Sequence, residues 1–255
     1  MYPVDKRVSS KNMLIITADD WGKNMAATDH TMLCFKNGRI TSVSAMVFLR
    51  DSERAADLAR ESGVESGLHL NFSLPFDGPV RSEKLLTSQH RLATFLEKSR
   101  FAPMLYNPFL NKDFEYVYMA QYNEYVRLYG MVPAHINGHR HKHLCWNVLI
   151  DGLIPRGSRV RRSFTFHWGE KNPINLMCRR LIDKIVAGKY VCTDSFFSLV
   201  PIDKNDRLQT IINLSKESVV ELMVHPERKE ELDYLMRDEY FEMISLVKMG
   251  NYGLL

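Results

Sequence analysis

The sequence predicts a single α/β domain folded as a closed or nearly closed β/α barrel. Three observations predict it: the chain has 255 residues, short apolar segments alternate with helical ones, and no low-complexity linker divides it. Strands that alternate with helices of this length are typical of parallel βα units, and one such barrel occupies about 250 residues. With 45% hydrophobic residues, the composition allows a sizeable buried core.

The first part of the chain carries three predicted strands and two predicted helices. The strands are short apolar or Val/Thr-rich runs, and the helices place their aliphatic residues at helical spacing. Gly38 stops the first helix, and Asp51 or Ser52 caps the second. In chain order the segments are the strand Met13–Thr17, the helix Ala26–Lys36, the strand Ile40–Leu49, the helix Glu53–Glu61 and the strand Gly67–Phe72.

Residues 73–112 interrupt this alternation. They are rich in proline and are predicted to form an extended insertion with one helix near Leu92–Lys98. The alternation then resumes, but fewer than eight strands are recognisable, so we expect an irregular barrel. The later segments are the helix Phe114–Tyr129, the strand Ala134–Asn137, the helix Asn172–Ala187, the strand Val219–Val224 and the helix Asp233–Lys248.

Charge and hydropathy narrow the classes of partner. The 34 Lys and Arg against 30 Asp and Glu leave a formal charge of +4, which is too small to indicate nucleic-acid binding by itself. No apolar run approaches the roughly 18 residues of a membrane span, and the polar first residues lack the apolar stretch of a secretory leader. The four cysteines form no C-x-x-C pair and indicate reduced thiols. We therefore expect a cytoplasmic protein that binds neither nucleic acid nor membrane.

Groups that bind metals or move protons follow four of the predicted strands. Asp19 and Asp20 come after the first strand, His69 lies in the third, the histidine-rich run 135–143 comes at the next, and His225 follows the last. In β/α folds the catalytic groups lie in the loops after the carboxyl ends of the strands. The sequence therefore predicts an active site at this end of the barrel.

The adjacent carboxylates of Asp19 and Asp20 repel each other unless a cation or a proton lies between them. On a continuing strand they would point to opposite faces, whereas at a strand end that turns into a loop both can face one cavity. One interpretation gives one carboxylate to a metal and the other to a water molecule as general base. The other interpretation is a helix N-cap, since Asp is common before a helix, although a cap requires only one aspartate.

Four of the nine histidines lie within residues 135–143. An extended segment would put His139, His141 and His143 on one face, and a helix would put His135, His139 and His143 there. Either geometry offers two imidazoles to one ion, and imidazole with carboxylate suits zinc and other first-row divalent ions. The alternative is an exposed basic loop, because basic residues are interleaved with the histidines.

A second cluster is basic and is followed by aromatic residues. Such a cluster could hold an anion, stack on a sugar or form an RNA surface, but no RNA-binding module accompanies it, and most such runs are solvated loop faces. The residues are Arg156, Arg159, Arg161, Arg162, Phe164, Phe166 and Trp168.

Together, five segments resemble the YdjC-like carbohydrate deacetylases, a family that includes the chitooligosaccharide deacetylases. They occur in the family's order over residues 13–226. The resemblance implies an irregular TIM-like β/α barrel, with residues 1–255 as a single domain and residues 73–112 as an insertion. The segments are Ile15–Gly22, Ile40–Ser44, Gly67–Asn71, His135–His143 and Glu221–Pro226.

The resemblance also implies a metal-dependent hydrolase that removes acetyl groups from N-acetylated sugars or oligosaccharides. It makes Asp19 the catalytic base and His225 the general acid. It makes Asp20, His69 and His139 the ligands of one divalent ion, either Mg²⁺ or Zn²⁺, and by analogy we expect a homodimer. The residues expected to contact substrate or to support the ligands are Trp21, Asn137, His135, His141, His143 and Arg161.

The chain departs from the family pattern around the predicted pocket. Asn137-Gly138 stands where the family usually has Asp-Ser, which could change how His139 is oriented. Trp21 stands where Phe is more common, and Lys23 lies in a loop that is usually richer in small residues. Two alternative functions are therefore another metal-dependent hydrolase, acting on an amide or a phosphoester, and a catalytically inactive carbohydrate-binding relative.

Overall fold

The computed structural model describes residues 12–80, 82–165, 173–202 and 206–255. Within these ranges the chain forms an α/β domain whose strands pair in parallel, and none of its helices there is long and apolar enough to cross a membrane. In chain order the elements are β1 (Met13–Trp21), α1 (Met25–Lys36), β2 (Ser42–Ala45), α2 (Ser52–Ser62), β3 (Glu65–Leu70), α3 (Glu83–Glu97), α4 (Asn111–Tyr129), β4 (Ile136–Gly138), α5 (Trp146–Asp151), α6 (Pro173–Lys189), β5 (Ser195–Ser198), α7 (Arg207–Ser215), β6 (Val219–Val224), α8 (Lys229–Leu235), α9 (Asp238–Ser245) and β7 (Met249–Gly250), with short 3₁₀ helices at Ala102–Met104, Pro108–Leu110, His139–Leu144 and Tyr252–Leu254.

The strands form one curled parallel sheet with the shape of half a barrel. Their order is β4-β3-β2-β1-β6-β5, and the short β7 pairs with the start of β1. Isolated parallel bridges place Val160 beside Ile136 of β4 and Arg159 beside Val191, which precedes β5. Because the strands run in the same direction, the carboxyl ends of β1, β3, β4 and β6 lie at the same edge of the sheet. This is the edge at which α/β proteins bind ligands.

The two central strands, β1 and β6, were recognisable in the sequence because they are buried along their whole length. Every residue of β1 is buried, and its register with β6 runs from Met13 opposite Val219 to Ala18 opposite Val224. Parallel strands that are covered on both faces have near-continuous apolar sequences instead of alternating ones. Two such runs lie side by side here, and their apolar side chains contribute to both hydrophobic clusters of the core.

Most predicted elements are confirmed. The strand predicted over Val219–Val224 has the bounds of β6, and the two helices predicted in the first part of the chain match α1 and α2 to within one residue at each end. The helix predicted over Phe114–Tyr129 is α4, which begins at Asn111. The helix predicted over Asn172–Ala187 is α6, although Asn172 lies outside the described residues.

The strand predicted over Ile40–Leu49 is wrong in its extent, because only β2 within it is a strand. The chain turns immediately afterwards. The hydroxyl of Ser52 accepts the backbone N–H of Leu49 at 2.9 Å and donates to the backbone oxygen of Met46 at 3.0 Å. A side chain that satisfies backbone groups in this way favours a turn over a continued strand.

The single helix predicted over Asp233–Lys248 is also wrong. It is divided into α8 and α9 because Arg237, between them, has an extended backbone with φ −69° and ψ 148°. The elements α5, β5, α7 and β7 were not predicted from the sequence. Each is short, from two to nine residues, so its periodicity was too brief to be distinguished from loop sequence.

Residues 73–112 contain more regular structure than the predicted insertion. The helix α3 begins at Glu83 instead of near Leu92, and Ser82 caps it by accepting the backbone N–H of Leu85 at 3.2 Å. The buried face of α3 packs against α4. This segment therefore contributes a packed helical layer beside the sheet, and the prediction of extended chain is wrong for α3.

Candidate metal centre

The two adjacent aspartates lie within β1, and not after it as the prediction of a strand ending at Thr17 implied. The pairing of β1 with β2 changes register between Ala18 and Trp21, and Asp20 has a left-handed φ of 64°. An irregularity of this kind re-aims side chains at a strand end. As a result, the carboxylates of Asp19 and Asp20 both line one pocket instead of pointing to opposite faces.

The alternative interpretation of this pair as a helix cap is wrong. The cap of α1 is Asn24, whose Oδ1 accepts the backbone N–H of Ala27 at 2.9 Å. The carboxylates of Asp19 and Asp20 instead contact charged and imidazole side chains from distant parts of the chain.

Asp20 meets two histidines from neighbouring strands. Its Oδ1 is 2.9 Å from Nδ1 of His139, which directly follows β4, and 3.4 Å from Nε2 of His69 in β3. One ligand atom from each of the three residues lies within 4.8 Å of the others. Two imidazoles and a carboxylate suit zinc and related first-row divalent ions. The fold thus brings together the three residues predicted as ligands, Asp20, His69 and His139, which we call the ligand group. Their donor atoms fit a divalent cation.

Asn137 orients the ring of His69. The Oδ1 of Asn137 lies 2.6 Å from Nδ1 of His69, and its Nδ2 donates to Oγ of Ser44 at 2.7 Å. Because an amide oxygen can only accept, Nδ1 of His69 carries a proton, which leaves Nε2, on the side of Asp20, as the nitrogen that would offer its lone pair to a bound cation. Asn137 therefore accepts from His69 as a carboxylate would at this position. This departure from the family pattern thus concerns His69, and not His139 as expected, and it leaves His69 oriented.

Both aspartates are held in their ionised form. Burial alone would raise the pKa of Asp19, but the charges of Arg161 and His69 hold that pKa well below its usual range. Burial likewise opposes ionisation of Asp20, and hydrogen bonds from His139 and His69 hold its pKa well below the usual range. The ligand group therefore presents negative charge to a cation at neutral pH.

Arg161 connects the pocket to the interior of the sheet. It is fully buried and donates from its two terminal nitrogens to the two oxygens of Asp19, at 2.6 and 2.8 Å, and from Nε to Oε1 of Glu221 at 2.8 Å. Such a two-point contact fixes the plane of the carboxylate. Arg161 is therefore no part of an exposed basic surface, and Phe166 and Trp168 of the same predicted cluster lie outside the described residues.

The histidine-rich run adopts neither predicted geometry. It forms a 3₁₀ turn in which Arg140 and His141 have left-handed φ values of 50° and 56°. Because the backbone direction changes at each of these residues, successive side chains no longer share a face. In the described part of the chain, His139 is the one histidine of this run that joins the ligand group. The prediction that the run offers two imidazoles to one ion is therefore wrong.

The remaining histidines of the run have separate surroundings. His141 packs its ring edge against Phe164, with centroids 4.5 Å apart, and lines the pocket. His143 is buried, with Nε2 3.0 Å from the backbone oxygen of Arg161, and burial lowers the pKa of His143 to about 3. The run is thus built into the interior, so the alternative of an exposed basic loop is also wrong for these residues.

His135 lies beneath the ligand group. Its ring stacks on Tyr252 with centroids 4.1 Å apart, and its Nε2 is 3.1 Å from Oγ of Ser44. Gly67 makes room for this ring, because a Cβ at that position would come within 2.4 Å of it. Burial lowers the pKa of His135 well below its ordinary value, which keeps the ring neutral.

The ligand group opens into a pocket of about 480 Å³. His225 lines it, with Nδ1 3.6 Å from Oε1 of the buried Glu231. Lys23 and Glu227 also line it, and neither was predicted to have a role there. Nζ of Lys23 is 3.4 Å from Oδ2 of Asp20 and 2.7 Å from Oε2 of Glu227. Their closeness in sequence to Asp20 and His225 was the signal that could have found them.

Trp21 lies outside this pocket, although it was a candidate for substrate contact. Its side chain is fully buried in the hydrophobic core. Two residues that complete the surroundings of Arg161 were missed as well: Glu221, and Tyr252, whose hydroxyl donates to Glu221 at 2.5 Å. These contacts join residues that are 60 and 31 positions apart, so no local pattern could indicate them.

A comparison with protein families finds a match over most of the chain. The YdjC-like protein family model matches residues 13–245. The chain belongs to the YdjC-like family. The family match covers Asp20, His69 and His139 and ends before β7 and Tyr252.

Relatives of this YdjC-like chain carry deacetylase names. A carbohydrate deacetylase of Danio rerio is 32% identical over 137 residues, which cover 52% of this chain and 43% of the relative. A carbohydrate deacetylase of Mus musculus is 34% identical over 161 residues, covering 58% and 49%. The chain thus spans about half the length of these two relatives. A chitooligosaccharide deacetylase of Yersinia enterocolitica is 25% identical over 223 residues, covering 85% of this chain and 82% of the relative.

A solved structure has the same fold as this YdjC-like chain. It comes from Enterococcus faecalis V583, is described provisionally as a cellobiose-phosphate cleavage protein, and has a TM-score of 0.66 at 20% sequence identity. The likeness covers 95% of this chain and 98% of that one. At this identity it concerns the fold alone.

Proposed function

We propose that this chain is a metal-dependent hydrolase that removes acetyl groups from N-acetylated sugars or oligosaccharides. The observation that carries the proposal is the convergence of Asp20, His69 and His139 beside a second carboxylate, Asp19, in one pocket. A carbohydrate-binding module requires no such second carboxylate. The deacetylase names of the relatives support this substrate class.

Asp20, His69 and His139 would hold one divalent ion, Zn²⁺ or Mg²⁺, and the two imidazoles favour Zn²⁺. When bound, such an ion polarises the acetamide carbonyl and increases the acidity of water beside it. Asn137 supports this set because its contact at 2.6 Å keeps His69 in the tautomer that can bind a cation. Oδ2 of Asp20 faces Lys23 at 3.4 Å, which leaves Oδ1 toward the two rings.

Asp19 would be the proton acceptor of the reaction, and His225 would be the proton donor. Asp19 takes a proton from the attacking water, whose oxygen bonds to the acetyl carbon. His225 gives a proton to the sugar nitrogen as the C–N bond breaks, so the products are acetate and a free amino sugar. Arg161 holds the carboxylate of Asp19 in one plane through bonds at 2.6 and 2.8 Å. His225 is held at the rim because its backbone N–H donates to Oε2 of Glu231 at 2.7 Å.

The finer description of the fold is part of the same proposal. We infer an irregular TIM-like barrel, supported by the bridges at Val160 and Val191 that extend the curled sheet beyond β4. Residues 73–112 are then an insertion in a single domain over residues 1–255. A cytoplasmic location, a homodimer, and the absence of nucleic-acid and membrane partners stay predictions.

The experiment is acetate release from N-acetylglucosamine oligomers by the purified chain, after chelation and after return of Zn²⁺ or Mg²⁺. We expect activity to depend on the returned ion. Asp19→Asn should abolish turnover while the variant still binds the ion, and the matched Asp57→Asn, at an exposed aspartate on α2, should leave both unchanged. Phosphate release from simple phosphoesters without acetate release would favour the other hydrolase, and metal binding with neither reaction would favour an inactive relative.

A further inference from the structure

Three fully buried side chains connect the catalytic end of the sheet to residues beyond the family match. The hydroxyl of Tyr252 donates to Oε2 of Glu221 at 2.5 Å, and Oε1 of Glu221 accepts from Nε of Arg161 at 2.8 Å. Arg161 in turn donates to both oxygens of Asp19. Tyr252, Glu221 and Arg161 each have 0% of their surface exposed. The path from the tyrosine hydroxyl to Asp19 is thus continuous and buried.

The contacts of the guanidinium explain how Glu221 and Tyr252 can affect the position of Asp19. Arg161 can hold the plane of Asp19 only if its own planar group is fixed, because its donors form a rigid fork. Oε1 of Glu221 lies 2.8 Å from Nε and 2.7 Å from Nη2, so Glu221 fixes the edge of the fork next to the one that faces Asp19. A buried carboxylate in turn requires partners for both oxygens, and Tyr252 supplies the partner of the second one.

Tyr252 is itself held from several sides. The strand β7 just before it pairs with β1, with Met249 opposite Leu14. The carboxylate of Glu65 accepts the backbone N–H groups of Tyr252 and Gly253, each at 2.7 Å. The ring of Tyr252 stacks on that of His135, with an interplanar angle of 17°. These contacts hold the ring of Tyr252 in place while its hydroxyl contacts Glu221.

We infer that Tyr252 is a positioning residue for the deacetylation reaction, which acts on Asp19 through Glu221 and Arg161. The inference rests on the proposed function. A tyrosine that only filled space would affect the stability of the fold, whereas a positioning tyrosine affects the chemical step. Turnover per folded, metal-loaded molecule is therefore the quantity that separates the two roles.

The test compares Tyr252→Phe with Tyr240→Phe. Both tyrosines are buried, and the hydroxyl of Tyr240 donates to the backbone oxygen of Arg39, away from the pocket. We expect Tyr252→Phe to lower kcat about tenfold, since small misplacements of a catalytic group have effects of this size or larger, with KM and metal content unchanged. Tyr240→Phe should leave kcat unchanged. A kcat for Tyr252→Phe that equals the wild-type value would overturn the inference.

A double-variant cycle tests the route through Glu221. Glu221→Met keeps the volume of the side chain and removes both contacts, so Tyr252→Phe should change kcat by less than about twofold in that background. Glu221→Gln, which can still contact Arg161 and Tyr252, should retain more kcat than Glu221→Met. Losses that multiply in the double variant would show that Tyr252 acts independently of Glu221 and would overturn the proposed route.

A spectroscopic measurement separates failure of this inference from failure of the proposed function. The Nε–H resonance of Arg161 can be assigned in ¹⁵N-labelled protein by its loss in Arg161→Lys. We expect it to move in Tyr252→Phe and not in Tyr240→Phe. If the wild-type chain releases no acetate while the resonance moves as expected, the proposed function fails and the coupling from Tyr252 to Arg161 stands. A resonance that does not move in Tyr252→Phe overturns the coupling.

Discussion

Replacement of Asn137 by alanine is expected to weaken metal binding without removing any ligand. Asn137 is fully buried, and its contacts at 2.6 Å to His69 and 2.7 Å to Ser44 are both lost in the variant. Nδ1–H of His69 then has no acceptor in a site where the ring is 2% exposed, so the ring can rotate or change tautomer. Loss of such a supporting partner lowers metal affinity by about 10–100-fold, which is about 1.4–2.7 kcal/mol.

Competition of the protein with a chromogenic chelator for Zn²⁺ measures this affinity. Asn137→Asp keeps an acceptor for Nδ1 of His69. It should therefore bind Zn²⁺ more tightly than Asn137→Ala does, with an affinity close to that of the wild type. Asn147→Ala is the matched control, because Asn147 is equally buried and bonds the backbone oxygen of Asn107 at 2.9 Å, outside the pocket. Wild-type affinity in a folded Asn137→Ala variant would refute the reasoning.

Three further predictions concern the same site. His139→Ala should lose stoichiometric metal in elemental analysis, and full retention would contradict the ligand set. Arg161→Met should lower the free energy of unfolding in urea by about 3–5 kcal/mol, because it leaves Asp19 and Glu221 buried without their cation; a loss below about 1 kcal/mol would contradict this. Since the pKa of His143 is lowered to about 3, the unfolded state binds its proton first as the pH falls below about 6.5. Stability should then fall by about 1.4 kcal/mol per pH unit from this group, and urea unfolding of His143→Gln between pH 4 and 7 should show a flatter profile than the wild type.

The sequence indicated the parts of the fold that depend on local pattern. The strand over Val219–Val224 was recognisable because all six of its residues are buried, and α1 because its apolar residues recur at helical spacing. The local turn at Ser52 ended a predicted strand early, since one hydroxyl is enough to redirect the backbone. Such a contact is decided by a few atoms and leaves no periodic signal.

The candidate site likewise has residues that local motifs indicated and contacts that only the folded chain shows. The resemblance named Asp20, His69 and His139 through motifs that are each contained in a few residues. It could not indicate that the histidine run bends at Arg140, because left-handed dihedrals at non-glycine residues have no dependable sequence signal. Nor could it indicate the pairing of Glu221 with Arg161, which depends on how distant strands align in the sheet.

The left-handed backbone at Asp20 has a consequence for how sequences of this kind can drift. A φ of 64° is adopted more readily by Gly, Asn and Asp than by other residues, and for a side chain with a Cβ it still costs about 1 kcal/mol. Asp20→Gly should therefore relieve this backbone strain while it removes the carboxylate that contacts His139 and His69 and that would hold the proposed ion. Under the proposed function, the residue at position 20 therefore shows, from sequence alone, whether a chain with this backbone keeps the carboxylate that the metal requires.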